Sequence, residues 1–162
     1  MRTSTRFLAV ASWALAATLT AGSLGLGAAS AQSGRELSGA LSGAAEVPGP
    51  GSPDGTGSFT VTTDIENHTV CYELTATLSS PATAAHLHRG AVTASGPVVV
   101  PFNAPSSGQS CGCVGDVGGA NDALGRALVA EIQGNTGGFY VNVHNADFPD
   151  GAIRGQLGQG PR

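Results

Sequence analysis

The sequence predicts an all-β domain: an antiparallel β-sandwich or barrel, Greek-key connections included, with one short helix in a long connection. Three observations predict it. About seven short segments show period-two alternation or β-branched runs. Clusters of Gly, Pro, Ser, Asn and Asp separate them at short spacing. Only one stretch repeats its apolar residues every four positions. Many short strands with turn signals and a single helix form a two-layer or closed antiparallel architecture.

The elements follow in order. Glu36–Leu41 is a first short strand, weakened by Gly39. Pro48, Pro50 and Pro53, with the glycines around them, make the next stretch a loop. Gly57–Thr63 sets Phe59 and Val61 against Ser58, Thr60 and Thr62, the pattern of a half-buried strand. Residues 64–68 turn the chain. Thr69–Leu78 is a longer strand with Val70, Tyr72, Leu74 and Ala76 on one face and Cys71 on the other. Ala84–His88 is the next strand. The run Val98-Val99-Val100 suggests a strand buried on both faces. Residues 103–119, rich in Gly, Ser and Pro, read as an irregular crossing loop. Asn121 or Asp122 suits the N-cap of a helix running to about Gln133, with Leu124, Leu128, Ile132 and neighbouring Ala127 as its apolar stripe. Phe139–His144 and Ala152–Leu157 are the last strands, joined through a Pro149-Asp150-Gly151 turn. The first and last strands are expected to be neighbours, with Gly39 and Gly155 allowing close backbone approach.

Residues 1–31 stand apart from this pattern. Arg2 and Arg6 precede an apolar run from Phe7 to Leu19, and small residues end in Ala29-Ser30-Ala31. That is the layout of a secretory signal peptide cleaved after Ala31. The expected product is a single domain, residues 32–162, with its core at about 36–157. It is secreted or extracytoplasmic, and no later segment is apolar enough to span a membrane. Removing 31 residues from the 162-residue chain leaves five arginines, no lysine and all eleven acids, a net charge of −6 with neutral histidine. Such a surface repels phosphate backbones, which argues against a nucleic-acid partner. No motif names a protein or cell-surface partner.

Cysteines stand at 71, 111 and 113. An exported chain meets an oxidising compartment, so a disulfide is expected. Cys111 and Cys113 are poorly placed to bridge each other, so Cys71 should pair with one of them.

The chemistry-bearing residues gather in two strands. In Ala85-His86-Leu87-His88 the histidines share a face and Leu87 points the other way. In Phe139-Tyr140-Val141-Asn142-Val143-His144, the face carrying Tyr140, Asn142 and His144 opposes an apolar face. These stretches hold three of the four histidines. Neutral imidazole is the commonest metal ligand, and a nitrogen donor set suits copper or zinc. His86, His88 and His144 are therefore candidate metal ligands. The competing reading is a hydrogen-bonded network that ties strands and loops together. His68 lies in a polar turn and is placed outside the site. Asp147 and Asp150 read as turn formers, Arg89 as half of a surface ion pair, and Glu46 as a loop cap or an approach to the site. No nucleophile elbow or phosphate-cradling glycine motif is present, and no catalytic residue is assigned.

The chain resembles the CHRD domain family, named for chordin and common as a single exported domain in bacteria. The resemblance is carried by Leu41-Ser42-Gly43-Ala44-Ala45-Glu46-Val47-Pro48, by Ala85-His86-Leu87-His88-Arg89-Gly90 with Gly96-Pro97-Val98-Val99, and by Tyr140-Val141-Asn142-Val143-His144. Phe148-Pro149 and Ile153-Arg154-Gly155-Gln156-Leu157 complete it. It implies an extracellular β-sandwich-type domain and no established catalysis. Exported members are similar in pairing a cysteine of the third strand with a Gly-Cys-Val segment, here Gly112-Cys113-Val114; this implies a Cys71–Cys113 bridge, with Cys111 free or an alternative partner. Two positions depart from the family. Thr93 stands where the central loop often has glycine. Ala152 stands where the last strand often carries a glutamate, which removes a carboxylate partner for Arg154 and sets that arginine outside the site.

A looser likeness is to Cu,Zn superoxide dismutases. These are β-barrels that use a His-x-His strand and a later strand-end histidine for copper. The histidine that should bridge the two metals has no counterpart between Arg89 and Tyr140. The reading that results is an exported, non-enzymatic binding module holding copper or zinc through His86, His88 and His144. The alternatives are a copper-dependent redox enzyme of superoxide dismutase type and a purely structural cell-surface domain.

Overall fold

A computed structural model of the chain describes residues 34–115 and 124–158. Its strands are β1 (Gly34–Ser42), β2 (Thr56–Asp64), β3 (Thr69–Thr77), β4 (Ala82–Arg89), β5 (Val98–Phe102), β6 (Gln109–Gly115), β7 (Phe139–Asn145) and β8 (Ile153–Gln156). Among the described residues one α-helix, α1 (Gly125–Gly134), lies between β6 and β7, followed by a 3-10 turn at Thr136–Gly138. The strands form one eight-stranded antiparallel sheet in the order β5-β4-β7-β8-β1-β2-β3-β6.

The sheet curls until its edges, β5 and β6, nearly meet. Across the seam the Asn103 amide donates to the Tyr72 hydroxyl at 2.7 Å, and the Ser110 hydroxyl donates to the Asn103 carbonyl at 2.8 Å. Around this near-barrel, β4, β5 and β6 follow one another with β3 beside β6 and β7 beside β4, which is Greek-key connectivity.

Period-two alternation decides which side chains fill the interior. Phe59 and Val61 of β2, Val70, Tyr72 and Leu74 of β3, and Leu87 of β4 all point in and are buried. β1 and β8 are neighbours, as expected, meeting at Ser42 and Arg154. At Gly155 a Cβ would stand 2.1 Å from the Ala40 carbonyl, so only glycine permits this approach.

Three expectations need correction. Residues 109–115 are not irregular loop: they form β6, paired with β3 along its length. The stretch has a poor strand composition and is ordered by pairing on an edge, not by its own pattern. The valine run is not buried on both faces: Val98 is 48% exposed and Val100 fully buried, because β5 is an edge strand with one face to solvent. The helix stripe is right at Leu124 and Ile132, which are buried, and at Leu128, which packs against the core, but its flank is Val129, fully buried, and not Ala127, which is exposed. The proposed caps Asn121 and Asp122 lie outside the described residues, as does the proposed leader 1–31.

Cys71 and Cys113 sit directly opposite each other in the β3–β6 register and are joined by a disulfide; Cys111 is exposed and unbridged. The bridge fastens edge strand β6 to the barrel and closes a loop spanning 42 positions, for which chain entropy gives about 4 kcal/mol. The double variant Cys71→Ser/Cys113→Ser should lose about 2–5 kcal/mol in denaturant unfolding. Peptide mapping should link Cys71 to Cys113 and leave Cys111 as the alkylatable thiol.

Candidate metal centre

The same alternation that fills the barrel puts a polar layer on the outside of β4, β7 and β8. In β4, Ala85 and Leu87 point inward and His86 and His88 outward; in β7, Phe139, Val141 and Val143 point inward and Tyr140, Asn142 and His144 outward. The register sets these residues in rows. His86 faces Asn142, which faces Arg154; His88 faces Tyr140, which faces Gln156; His144 faces Ala84. His86 and His144 are thus diagonal neighbours, close enough for their rings to touch.

The three imidazoles converge. Ring centroids are 5.1 Å apart for His86 and His144, 5.5 Å for His86 and His88, and 6.3 Å for His88 and His144. One ring nitrogen from each lies within 4.8 Å of the others.

Backbone carbonyls define the tautomers, since a carbonyl oxygen only accepts. His88 Nδ1 lies 2.9 Å from the Gly96 carbonyl and His144 Nδ1 lies 3.0 Å from the Pro149 carbonyl, so both rings carry their proton on Nδ1. The ring atom left to act as a ligand is then Nε2 in each. His144 Nε2 takes a hydrogen bond from His86 Nδ1 at 3.2 Å. His88 Nε2 is buried with no hydrogen-bond partner. Two nitrogen ligands on a tetrahedral metal at about 2.0–2.1 Å stand about 3.3 Å apart. The His86–His144 pair therefore has the spacing of two ligands, with a proton between them. Orientation of ligand histidines by carbonyls on the far ring nitrogen is the usual arrangement around a bound metal. The residues fit a metal ion, and three imidazoles do not by themselves distinguish copper from zinc.

Burial holds His86 down at about 4, with the neighbouring charges of His144 and His88 acting in the same direction. Burial also lowers His88, against the opposing hydrogen bond to Gly96. Neutral imidazole is the form that binds metal.

Two loops roof this outer face and make it an interior. Asn142 is 4% exposed, Arg154 1% and Glu46 7%. The 90–97 loop lies over β4 and β7; the 43–52 loop brings in Glu46, whose Oε2 accepts from Asn142 Nδ2 at 3.1 Å. Gly151, at φ +145°, lets the β7–β8 turn pack on that carboxyl, where a Cβ would meet Glu46 Oε2 at 2.6 Å. Burial pushes the Glu46 carboxyl up to about 7, against the Asn142 hydrogen bond, the Arg154 charge and the Val47 amide.

The structure brings together the three histidines that the strand alternation puts forward, and it puts Arg154 beside them. That arginine lies inside the layer, its Cζ 3.5 Å from the Tyr140 ring centroid, and the acidic group near it is Glu46 rather than a residue of its own strand. The signal was there in β8, where Arg154 alternates with inward Ile153 and Gly155. His68 is in the β2–β3 turn, apart from the three clustered histidines. Asp147 accepts from the Ser79 and Ser80 hydroxyls on the surface, and Arg89 makes a forked, exposed ion pair with Glu131 at 2.9 and 2.7 Å.

Fold and site together define a Greek-key antiparallel barrel with a roofed three-histidine cluster on the outside of its wall. The chain belongs to the CHRD family: the CHRD domain matches residues 37–157. No curated protein sequence and no solved structure matches it significantly. Among the described residues, no helix is long and apolar enough to cross a membrane.

The raised Glu46 carboxyl has a consequence for stability. The folded protein keeps this proton up to about 7, whereas the unfolded chain releases it near 4.5. Its contribution is complete below 4.5 and is lost as pH rises through 7. In metal-free protein, Glu46→Gln should abolish this loss, so that variant and wild type diverge in unfolding midpoint between pH 4.5 and 7. Parallel pH profiles would show that Glu46 is ionised throughout.

Proposed function

We propose that this CHRD protein is an extracytoplasmic binding module that holds one copper or zinc ion through His86, His88 and His144. The observation that carries the reading is the convergence of three ring nitrogens within 4.8 Å, two of the rings being oriented by backbone carbonyls. The cluster is largely organised before a metal arrives: binding would need the His86 proton to move from Nδ1 to Nε2, which frees Nδ1 beside His144 Nε2, and little other rearrangement. The signal-peptide pattern of residues 1–31 and the Cys71–Cys113 disulfide both support an oxidising, exported location.

When bound, the metal would supply Lewis acidity and, if copper, one-electron chemistry. The chain's own part is to hold three imidazoles in place and to limit solvent access with the two loops. A binding or carrier role is favoured over dismutation because the histidine set supplies one metal subsite. Superoxide dismutation by copper-loaded protein above a free-copper control would move the assignment to an enzyme.

The test is metal retention by the oxidised protein. Metal-free protein given a small excess of Cu²⁺ or Zn²⁺ should keep about one equivalent through desalting. At 100 times Kd the ion should raise stability by about 2.7 kcal/mol. His86→Ala and His144→Ala should each weaken binding at least ~100-fold. Protein that retains no metal and shows an unchanged Tm with both ions contradicts the proposal.

A further inference from the structure

Arg154 is a fully buried cation with a specific set of partners. Its guanidinium lies flat on Tyr140, 3.5 Å from the ring centroid, and the opposite side of the layer has the Tyr140 ring stacked with His88 at 4.8 Å and 10°. Its Nη2 donates to two carbonyls of one loop, Ala91 at 2.8 Å and Ala94 at 3.0 Å. The same loop ends at Gly96, whose amide donates to the Tyr140 hydroxyl at 3.1 Å and whose carbonyl accepts from His88 Nδ1 at 2.9 Å. A circuit therefore runs from Arg154 through the loop to His88 and back through Tyr140. The ends of the loop are held by the Arg89 amide on the Pro97 carbonyl at 3.0 Å and by Gln156 Nε2 on the Gly90 carbonyl at 2.8 Å; between them, where Ala91 and Ala94 are exposed, Arg154 is the side chain that grips it.

We propose that Arg154 is a positioning residue for His88, gripping the 91–96 loop so that the Gly96 carbonyl holds the proton on Nδ1 and leaves Nε2 as the free lone pair. Arg154 suits this role better than an ordinary hydrogen-bond donor. Its Nη2 carries two N–H groups, one for each carbonyl, while the guanidinium face stacks on the tyrosine; lysine keeps donors for the carbonyls and gives up only the stack. The inference rests on the three-histidine reading for its metal consequence, and stands without it for the tautomer.

The test reads the tautomer directly by long-range ¹H–¹⁵N correlation of the imidazoles in metal-free, oxidised protein. Wild type should show His88 as the Nδ1–H form. Arg154→Met keeps an apolar contact with Tyr140 and removes a buried charge, a replacement proteins often tolerate; it should shift His88 towards Nε2–H. Arg154→Lys, which retains a donor for the two carbonyls, should largely restore Nδ1–H. Cu²⁺ affinity should fall about 10–100-fold in Arg154→Met and recover in Arg154→Lys. A folded Arg154→Met protein with His88 still in the Nδ1–H form overturns the proposal, even if its Tm falls, because a merely structural role would lower Tm alone. Wild-type protein that holds no copper would instead overturn the metal assignment and leave the tautomer result to decide this one.

Discussion

Loops that cover a polar strand face oblige the groups beneath them to find partners, and that constraint organises this protein. A β-barrel needs only one buried face on each strand. Here β4, β7 and β8 are covered on both: apolar side chains inside, and outside a layer in which His88, Tyr140, Asn142 and Arg154 are buried and His86 and His144 half-buried beside the 43–52 and 90–97 loops. The hydrogen bonds of that layer reach mostly to backbone carbonyls, at Gly96, Pro149, Ala91 and Ala94. Those carbonyls fix ring orientations, and ring orientation is what turns three nearby histidines into a ligand set.

The layer does not satisfy all of its members. Glu46 Oε1, His88 Nε2, Asn142 Oδ1 and Arg154 Nη1 are buried without a hydrogen-bond partner. A protein selected for stability alone would have little reason to keep such groups, because each costs desolvation that apolar packing would avoid. A lone pair on His88 Nε2 has a ready explanation as a ligand position. Glu46 keeps its proton at the centre of the same layer and so limits the charge confined there. The barrel interior, with its closely packed Phe59, Val61, Leu74 and Leu87, supplies the rigid wall on which this less stable arrangement is held.

What could be read from the sequence was whatever depends on period two. Alternation placed His86 with His88 and His144 with Tyr140 and Asn142, and it gave the inward faces of β2 and β3. The pairing of β1 with β8 was legible in the similar small-residue runs of the two strands, with Gly39 and Gly155 allowing the close approach. What could not be read depends on partners distant in the chain. The seven residues of β6 have no strand pattern, and only their pairing to β3 makes them one. Val98 is exposed because β5 lies at an edge, which its own sequence does not state. Arg154 lost a carboxylate neighbour in its own strand and was set aside, yet Glu46 approaches it from more than a hundred positions earlier. The Gly96 and Pro149 carbonyls carry no side-chain signature at all.

The account comes down to whether these three imidazoles, held as they are, form one first coordination sphere. X-ray absorption at the metal edge of protein loaded with one equivalent of copper or zinc measures this directly. Three imidazole scatterers with nitrogens at about 2.0–2.1 Å are expected. A site with one imidazole or none, or one dominated by sulfur from Cys111, would contradict it.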